Sequence, residues 1–238
     1  MIKLGVNIDH VATLRNTRGE KYPDPLRAAS TAKKFGANSV TIHLREDRRH
    51  ILDKDLFKIT RQKKIKINLE MAPTNEMLKI AIKAKPDFVC IVPEKRKELT
   101  TEGGLNIQKN NRLLKKIIYT LKQHGIRTSI FIEPSFSDIK KSKKLGADCV
   151  EIHTGKFCSL LNSKKKFTKE LKRINKGSKL AKRIGLEVHA GHGLTYQSAK
   201  MISKIKYISE FNIGHFIISE SVFVGLRQVI LNFKKILK

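Results

Sequence analysis

Tryptophan is absent, and all aromatic residues together make up 6% of the chain. Stacking platforms for single-stranded nucleic acid are therefore scarce. Cysteine is limited to Cys90, Cys149 and Cys158, an odd number with no C-x-x-C pair. That pattern argues against a disulfide framework or a thiolate zinc site and fits a reducing compartment with inert thiols. Long apolar runs are missing: none approaches the ~18 residues of a membrane span. A strand-like run begins at Lys3 and leaves no room for a secretory leader, so a cytoplasmic protein without a membrane partner is expected. Acidic residues are few, 21 against 50 Lys+Arg, for a formal net charge of +29. Such a charge fits either a polyanionic partner or compositional drift toward Lys on solvated helix faces. The clusters Lys63-Lys64, Lys115-Lys116, Lys140-Lys141, Lys143-Lys144 and Lys164-Lys165-Lys166 are scattered and form no single basic arm. Drift is the preferred reading, and no nucleic-acid partner is expected. Either way, a basic protein attracts small anions.

What is present is a regular alternation. Short apolar runs occur at Leu4–Ile8, Ser39–Leu44, Ile65–Leu69, Phe88–Val92, Thr128–Ile132, Cys149–Ile152, Leu186–Val188 and Tyr207–Ile213. Most are rich in Val and Ile and have the length of buried parallel strands. Between them apolar residues recur at helical spacing, as in Leu26–Phe35, Met77–Ala84, Leu113–Leu121 and Ile139–Leu145. Gly36, Gly125, Gly146 and Gly185 each precede a strand, where a left-handed helix cap favours glycine. No Pro/Gly/Ser-rich linker divides the 238 residues, and the length is near the roughly 250 typical of a (β/α)8 barrel. The expectation is α/β: a (β/α)8 TIM barrel with extra helices, one catalytic domain over residues 1–238, with a doubly wound open sheet as the alternative. Lys95–Ile107 and Lys156–Gly177 read as additions to the basic pattern.

A barrel of this kind carries its active site at the C-terminal ends of the strands. Those ends are where the polar residues collect. The first run has Asn7 inside its end and is followed by Asp9 and His10; the second ends on His43, followed by Arg45, Asp47, Arg48, Arg49 and His50. Glu70 closes the third; Glu94 and then Thr100-Thr101-Glu102-Gly103-Gly104 follow the fourth; Glu133 ends the fifth. The sixth carries Glu151 and His153, the seventh His189 and Gly191-His192-Gly193, the eighth Asn212, Gly214 and His215. Seven of the 8 histidines lie at strand ends or just after; His124 is the exception. One such histidine is ordinarily structural, but seven at one end of one barrel point to a site.

Metal binding is disfavoured, because neither H-E-x-x-H nor H-x-H occurs and basic residues are interleaved among the histidines. Phosphate fits better. Arg18, Arg45, Arg48 and Arg49 offer forked donors. The glycine-bearing loops after the last two runs match the place where this fold often holds phosphate. No G-x-G-x-x-G fingerprint appears, so no nicotinamide or flavin cofactor is expected. Another phosphosugar isomerase or aldolase is the competing enzyme class, but an aldolase needs a Lys at a strand end, and no strand clearly ends on one.

Several segments together resemble one family. Gly5–Arg15 with Tyr22–Pro25 resembles the opening of the pyridoxine 5′-phosphate synthase family, and His43-Leu44-Arg45-Glu46-Asp47-Arg48-Arg49-His50 resembles its most distinctive segment. Thr100–Gly104, Glu151–Gly155, Ala190–Leu194 and Asn212–His215 follow in the family's order. The resemblance implies a homo-octamer of (β/α)8 barrels without a cofactor. It implies condensation of two small phosphorylated substrates, 3-amino-2-oxopropyl phosphate and 1-deoxy-D-xylulose 5-phosphate, to pyridoxine 5′-phosphate, phosphate and water. It makes His43 and Glu70 proton acceptors, His192 a proton donor and Glu151 a transition-state stabiliser. Asp9, His10, Arg45, His50 and Thr100 would contact the deoxyxylulose phosphate; Asn7, Arg18, Gly193, Gly214 and His215 would contact the aminoketone phosphate. The chain departs from the family at His189, where Asn is common, and at Glu133, where Asp is common.

Overall fold

A computed structural model describes residues 1–94, 103–108 and 111–238. Eight parallel strands close into a barrel in chain order: β1 (Lys3–Asn7), β2 (Ser39–His43), β3 (Ile67–Met71), β4 (Phe88–Ile91), β5 (Arg127–Ile132), β6 (Cys149–His153), β7 (Glu187–Gly191) and β8 (Glu210–Ile213). The apolar set of each strand is fully buried: Leu4 and Val6, Val40 and Ile42, Ile67 and Leu69, Val150 and Ile152. Alternation sends these outward against the helices and the residues between them inward. In most barrels of this class bulky branched residues fill the interior. Here the inward positions are largely polar. Ser39 donates to Glu210 at 2.5 Å, Thr41 to Asn212 at 3.3 Å, and Asn68 to Thr41 at 3.4 Å.

Around the barrel run α1 (Asp9–Arg18), α2 (Pro25–Lys34), α3 (Asp53–Thr60), α4 (Asn75–Ala84), α5 (Asn111–Gln123), α6 (Phe136–Leu145), α7 (Gly155–Asn162), α8 (Thr168–Arg183), α9 (Tyr196–Ile202), α10 (His215–Val224) and α11 (Leu226–Ile236). The four expected cap glycines all adopt positive φ, between 71° and 105°. Where a side chain caps instead, the partners are those helix physics favours: Asp24 accepts from the Leu26 N–H and Thr74 from the Met77 N–H. The Lys156–Gly177 addition is helical: it holds α7 and most of α8.

Two expectations need correction. Strand β3 runs to Met71, so Glu70 lies within the strand and does not close it. Strand β7 runs to Gly191, two residues past His189, which therefore lies within the strand, in register with Glu151 and Glu210, and does not close it. Asp9 and His10 follow the first strand as expected and open α1.

Candidate active site

Register brings the first group together. Strand β2 pairs with β3 so that His43 faces Glu70. His43 Nδ1 lies 3.7 Å from Glu70, and its Nε2 lies 3.5 Å from Glu94, on the segment leaving β4. Asp9 braces the His43 backbone: one carboxylate oxygen accepts the His43 backbone N–H at 2.8 Å, and the other accepts from the Asn7 side chain at 2.9 Å. Burial drives the Glu70 carboxyl well above its ordinary pKa, Glu151 and Asp9 add to the shift, and Arg45 opposes it. With 17% of its side chain exposed, it remains within reach of a substrate. Glu94 goes the other way: burial would raise it, but His43, the Glu46 N–H and Arg45 hold it low. One carboxyl pushed up and one held low thus flank one histidine, an arrangement able to give and take protons near neutrality.

A second group forms from β1, β2 and β8. The His10 ring lies 5.0 Å from that of His215 and 6.0 Å from that of His50. Burial lowers the pKa of His10, and that of His50 to about 4, against the pull of Asp9. Arg45 is 5% exposed, and its Nε has no hydrogen-bond partner. A buried guanidinium nitrogen without a partner, beside two imidazoles whose pKa burial lowers, suits an anion that arrives from solvent. Arg15 of α1 holds the His50 segment in place. It makes a buried two-pronged pair with Asp55 at 2.7 and 2.8 Å and reaches the His50 carbonyl at 3.3 Å. Arg48 and Arg49 play other parts than the expected anion contact. Arg48 bonds Asp53, Glu76 and two carbonyls, and Arg49 bonds Asp47.

The third group lies over β6 and β7. Glu151 accepts from Asn212 at 2.6 Å, and Gly191 has no side chain because a Cβ there would overlap the Glu151 carboxylate. Burial raises Glu151 to about 7, against His189 and the Asn212 bond. His192 has φ 76°, a left-handed conformation that a non-glycine residue keeps only under constraint. The constraint is Thr154, whose hydroxyl lies 2.7 Å from the carbonyls of both Gly191 and His192. Burial, then His153, lowers the His192 pKa to about 4. A cavity of about 830 Å3 opens here, lined by His192, Gly193, His153, Lys156, Glu133 and Arg173 among others. Gly214 precedes α10, which has no side-chain cap, and packs against Asn7. Its first N–H groups are thus available to an anion.

A family model described as "Pyridoxal phosphate biosynthesis protein PdxJ" matches residues 4–238. The chain belongs to the PdxJ family. It is 55% identical over 236 residues to the pyridoxine 5′-phosphate synthase of Pelagibacter ubique, covering 99% of each chain. It is 51% identical to the pyridoxine 5′-phosphate synthase of a Sulfurihydrogenibium species, covering 99% of this chain and 98% of that one. Among solved structures it resembles 3-keto-L-gulonate-6-phosphate decarboxylase from Vibrio cholerae, with TM-score 0.68 over 99% of this chain and 97% of that one. At 12% identity that likeness speaks to the barrel alone. PdxJ membership makes the chain an enzyme of vitamin B6 biosynthesis.

Measured against what the PdxJ resemblance implies, the barrel gathers Asn7, Asp9, His10, His43, Arg45, His50, Glu70, Glu151, His192, Gly193, Gly214 and His215 around its C-terminal mouth. Arg18 is not among them. It is exposed at the end of α1 and lines a separate cavity of about 310 Å3 with Leu14, Glu20, Tyr22 and Pro23. Thr100 lies outside the described residues. Among the described residues, Asp9, His43 and Glu70 offer three possible ligand atoms within 4.8 Å of one another. Both Asp9 oxygens are already engaged by N–H donors, which favours a proton-handling cluster over a cation site. Two partners of the site lacked an assigned role in the sequence: Glu94, facing His43, and the Glu133–His153 pair, 2.6 Å apart. The usable signal for that pair was an acid and a histidine ending consecutive strands.

Proposed function

We propose that the chain condenses 3-amino-2-oxopropyl phosphate with 1-deoxy-D-xylulose 5-phosphate to pyridoxine 5′-phosphate, phosphate and water, by acid–base catalysis without a metal or cofactor. The observation that carries this reading is the carboxyl of Glu70, raised well above its ordinary pKa and set 3.7 Å from His43 at the barrel mouth. Imine formation, dehydration, phosphate elimination and ring closure each move a proton near neutral pH, which such a pair can do. His43 and Glu70 take protons, and His192 gives one. Glu151, fed a hydrogen bond by Asn212, steadies charge that develops over β6 and β8. Asp9, His10, Arg45, His50 and Thr100 hold the deoxyxylulose phosphate. Asn7, Gly193, Gly214 and His215 hold the aminoketone phosphate, at the α10 N-terminus. Fixing both phosphates makes a bimolecular condensation local.

Arg18 fits this reading if a second copy of the chain brings its α1 end over the mouth. Exposed Leu14 and Tyr22 nearby, and Val222, Phe223 and Val224 on α10, are apolar surface of the kind that self-association covers. A homo-octamer of one-domain, cytoplasmic barrels is the assembly proposed. Among the described residues no helix is long and apolar enough to cross a membrane. Glu70→Gln tests the reading, because it keeps shape and hydrogen-bonding capacity but cannot carry the proton. The expected outcome is a fall in kcat of about 10²–10⁴-fold with both substrates still bound. A folded variant that turns over within a few-fold of the parent removes Glu70 from the mechanism.

A further inference from the structure

Glu133 and His153 have no part in the chemistry above, yet they form a chain of groups that ends at His192. Strands β5 and β6 pair Ile132 with Ile152, so the next residues, Glu133 and His153, fall side by side. Glu133 Oε1 lies 2.6 Å from His153 Nδ1. The same carboxylate accepts from the Gly104 N–H at 3.3 Å and from Arg173 of α8, and Arg173 also lies 3.1 Å from Glu170. These donors keep Glu133 ionised: the His153 bond, opposed by burial, and then Gly104 and Arg173 lower its pKa to about 2. A carboxylate so held fixes a hydrogen on Nδ1 of the imidazole.

The opposite nitrogen, Nε2, is buried and has no hydrogen-bond partner, in a residue only 5% exposed. It faces His192. The two rings are 5.1 Å apart between centroids, and Phe131 stands beside both, at 5.3 and 6.4 Å. A Cβ on Gly155 would lie 2.5 Å from His153 Nε2 and 2.7 Å from His192 Cδ2. Glycine at this position therefore keeps the gap between the rings open. The other groups facing the pair are Glu151 on β6, Lys156 at the start of α7, and Cys158, whose thiol burial keeps protonated.

We propose that His153, oriented by Glu133, is a positioning residue that resupplies the proton His192 delivers. This rests on His192 being the proton donor of the proposed reaction. When His192 gives its proton to a departing hydroxyl, the hydroxyl leaves as water and the imidazole is left neutral. A proton on His153 Nε2, balanced by the Glu133 carboxylate at Nδ1, then passes to His192 across the gap, directly or through one water. A solvent proton from the cavity restores His153, so the only proton consumed is the one that leaves in water. The arrangement answers a need: His192, with its pKa lowered to about 4, holds few protons of its own at neutral pH.

His153→Asn keeps a donor for Glu133 but lacks Nε2, and Glu133→Gln removes the counter-charge while keeping the shape. The two substrates are used at saturation, and kcat is followed against imidazole-buffer concentration. Each variant should lose about 10–100-fold in kcat, less than the about 10²–10⁴-fold of a group that moves the substrate's proton itself. Both KM values should stay within about twofold, because neither residue is assigned a substrate contact. In His153→Asn the rate should rise with imidazolium concentration, while the parent stays insensitive; a packing role does not produce that dependence. Parent-like kcat in both folded variants, or a loss that imidazolium leaves unchanged, overturns the proposal. His192→Gln separates the two levels. If it turns over like the parent, the donor role of His192 fails and the proposal fails with it. If it is impaired while His153→Asn is not, only the proposal fails.

Discussion

At the scale of single residues, the barrel mouth sets like groups to different tasks through their surroundings. Glu70 and Glu151 are pushed up by burial, while Glu94 and Glu133 are held down by donors. Holding Glu151 at about 7 has a stability consequence. The unfolded chain ionises this group near its ordinary value, so its contribution is fully present below that and is lost as pH rises toward 7. Glu151→Gln, which can still accept from Asn212, should therefore unfold at a higher temperature than the parent at pH 8. At pH 5 the two should nearly coincide. The expected gain is on the order of 1–3 kcal/mol, or a few degrees in Tm for a chain of this size, alongside a loss of turnover. Thermal melts at the two pH values check it; equal gains at both would mean that relief of packing, not of charge, is the cause. His50 behaves oppositely, because burial lowers it to about 4. Its contribution is present above the ordinary histidine value and is lost as pH falls toward 4. Arg45→Lys keeps the charge but not the fork. It should raise KM for deoxyxylulose phosphate more than for the aminoketone, and steady-state kinetics varying each substrate in turn decides it.

At the scale of elements, α1 acts as a strut for the His43–His50 segment. Arg15 and Asn16 on its inner face bond Asp55 and the carbonyls of Arg49 and His50. Arg15→Ala would leave Asp55, with 7% side-chain exposure, as an uncompensated buried charge. The predicted cost is about 3–5 kcal/mol, readable by urea denaturation. A change under 1 kcal/mol would show that the strut carries no load. This element also shows where the sequence was silent. The strands were legible because they are short and rich in Val and Ile, as in the Ser-Val-Thr-Ile-His of β2. The end of β7 was not, because His-Ala-Gly does not extend an apolar run although its backbone continues the ladder to β8. Helix α1 was hidden because it starts at Asp9 directly after β1, without a capping side chain. The mouth residues were legible from their positions after each strand and from the family resemblance. The Glu133–His153 link was not, since two residues 20 apart meet only once β5 and β6 are in register.

At the scale of the whole molecule, barrel closure does what no segment does alone. It sets β1 beside β8, so that Asn7 meets Gly214, and it brings His10, His50 and His215 into one cluster. The net charge of +29 draws anions toward such a mouth, so kcat/KM for both phosphates should fall as ionic strength rises. The central claim, that this mouth joins two small phosphates by moving protons and without a metal ion, is tested most directly by turnover of chelator-dialysed protein. The protein is mixed with 3-amino-2-oxopropyl phosphate and 1-deoxy-D-xylulose 5-phosphate, and pyridoxine 5′-phosphate and inorganic phosphate are measured together. The account predicts equal amounts of the two products at the undialysed rate. No pyridoxine 5′-phosphate, or a rate that returns only when one particular metal ion is added, would contradict it.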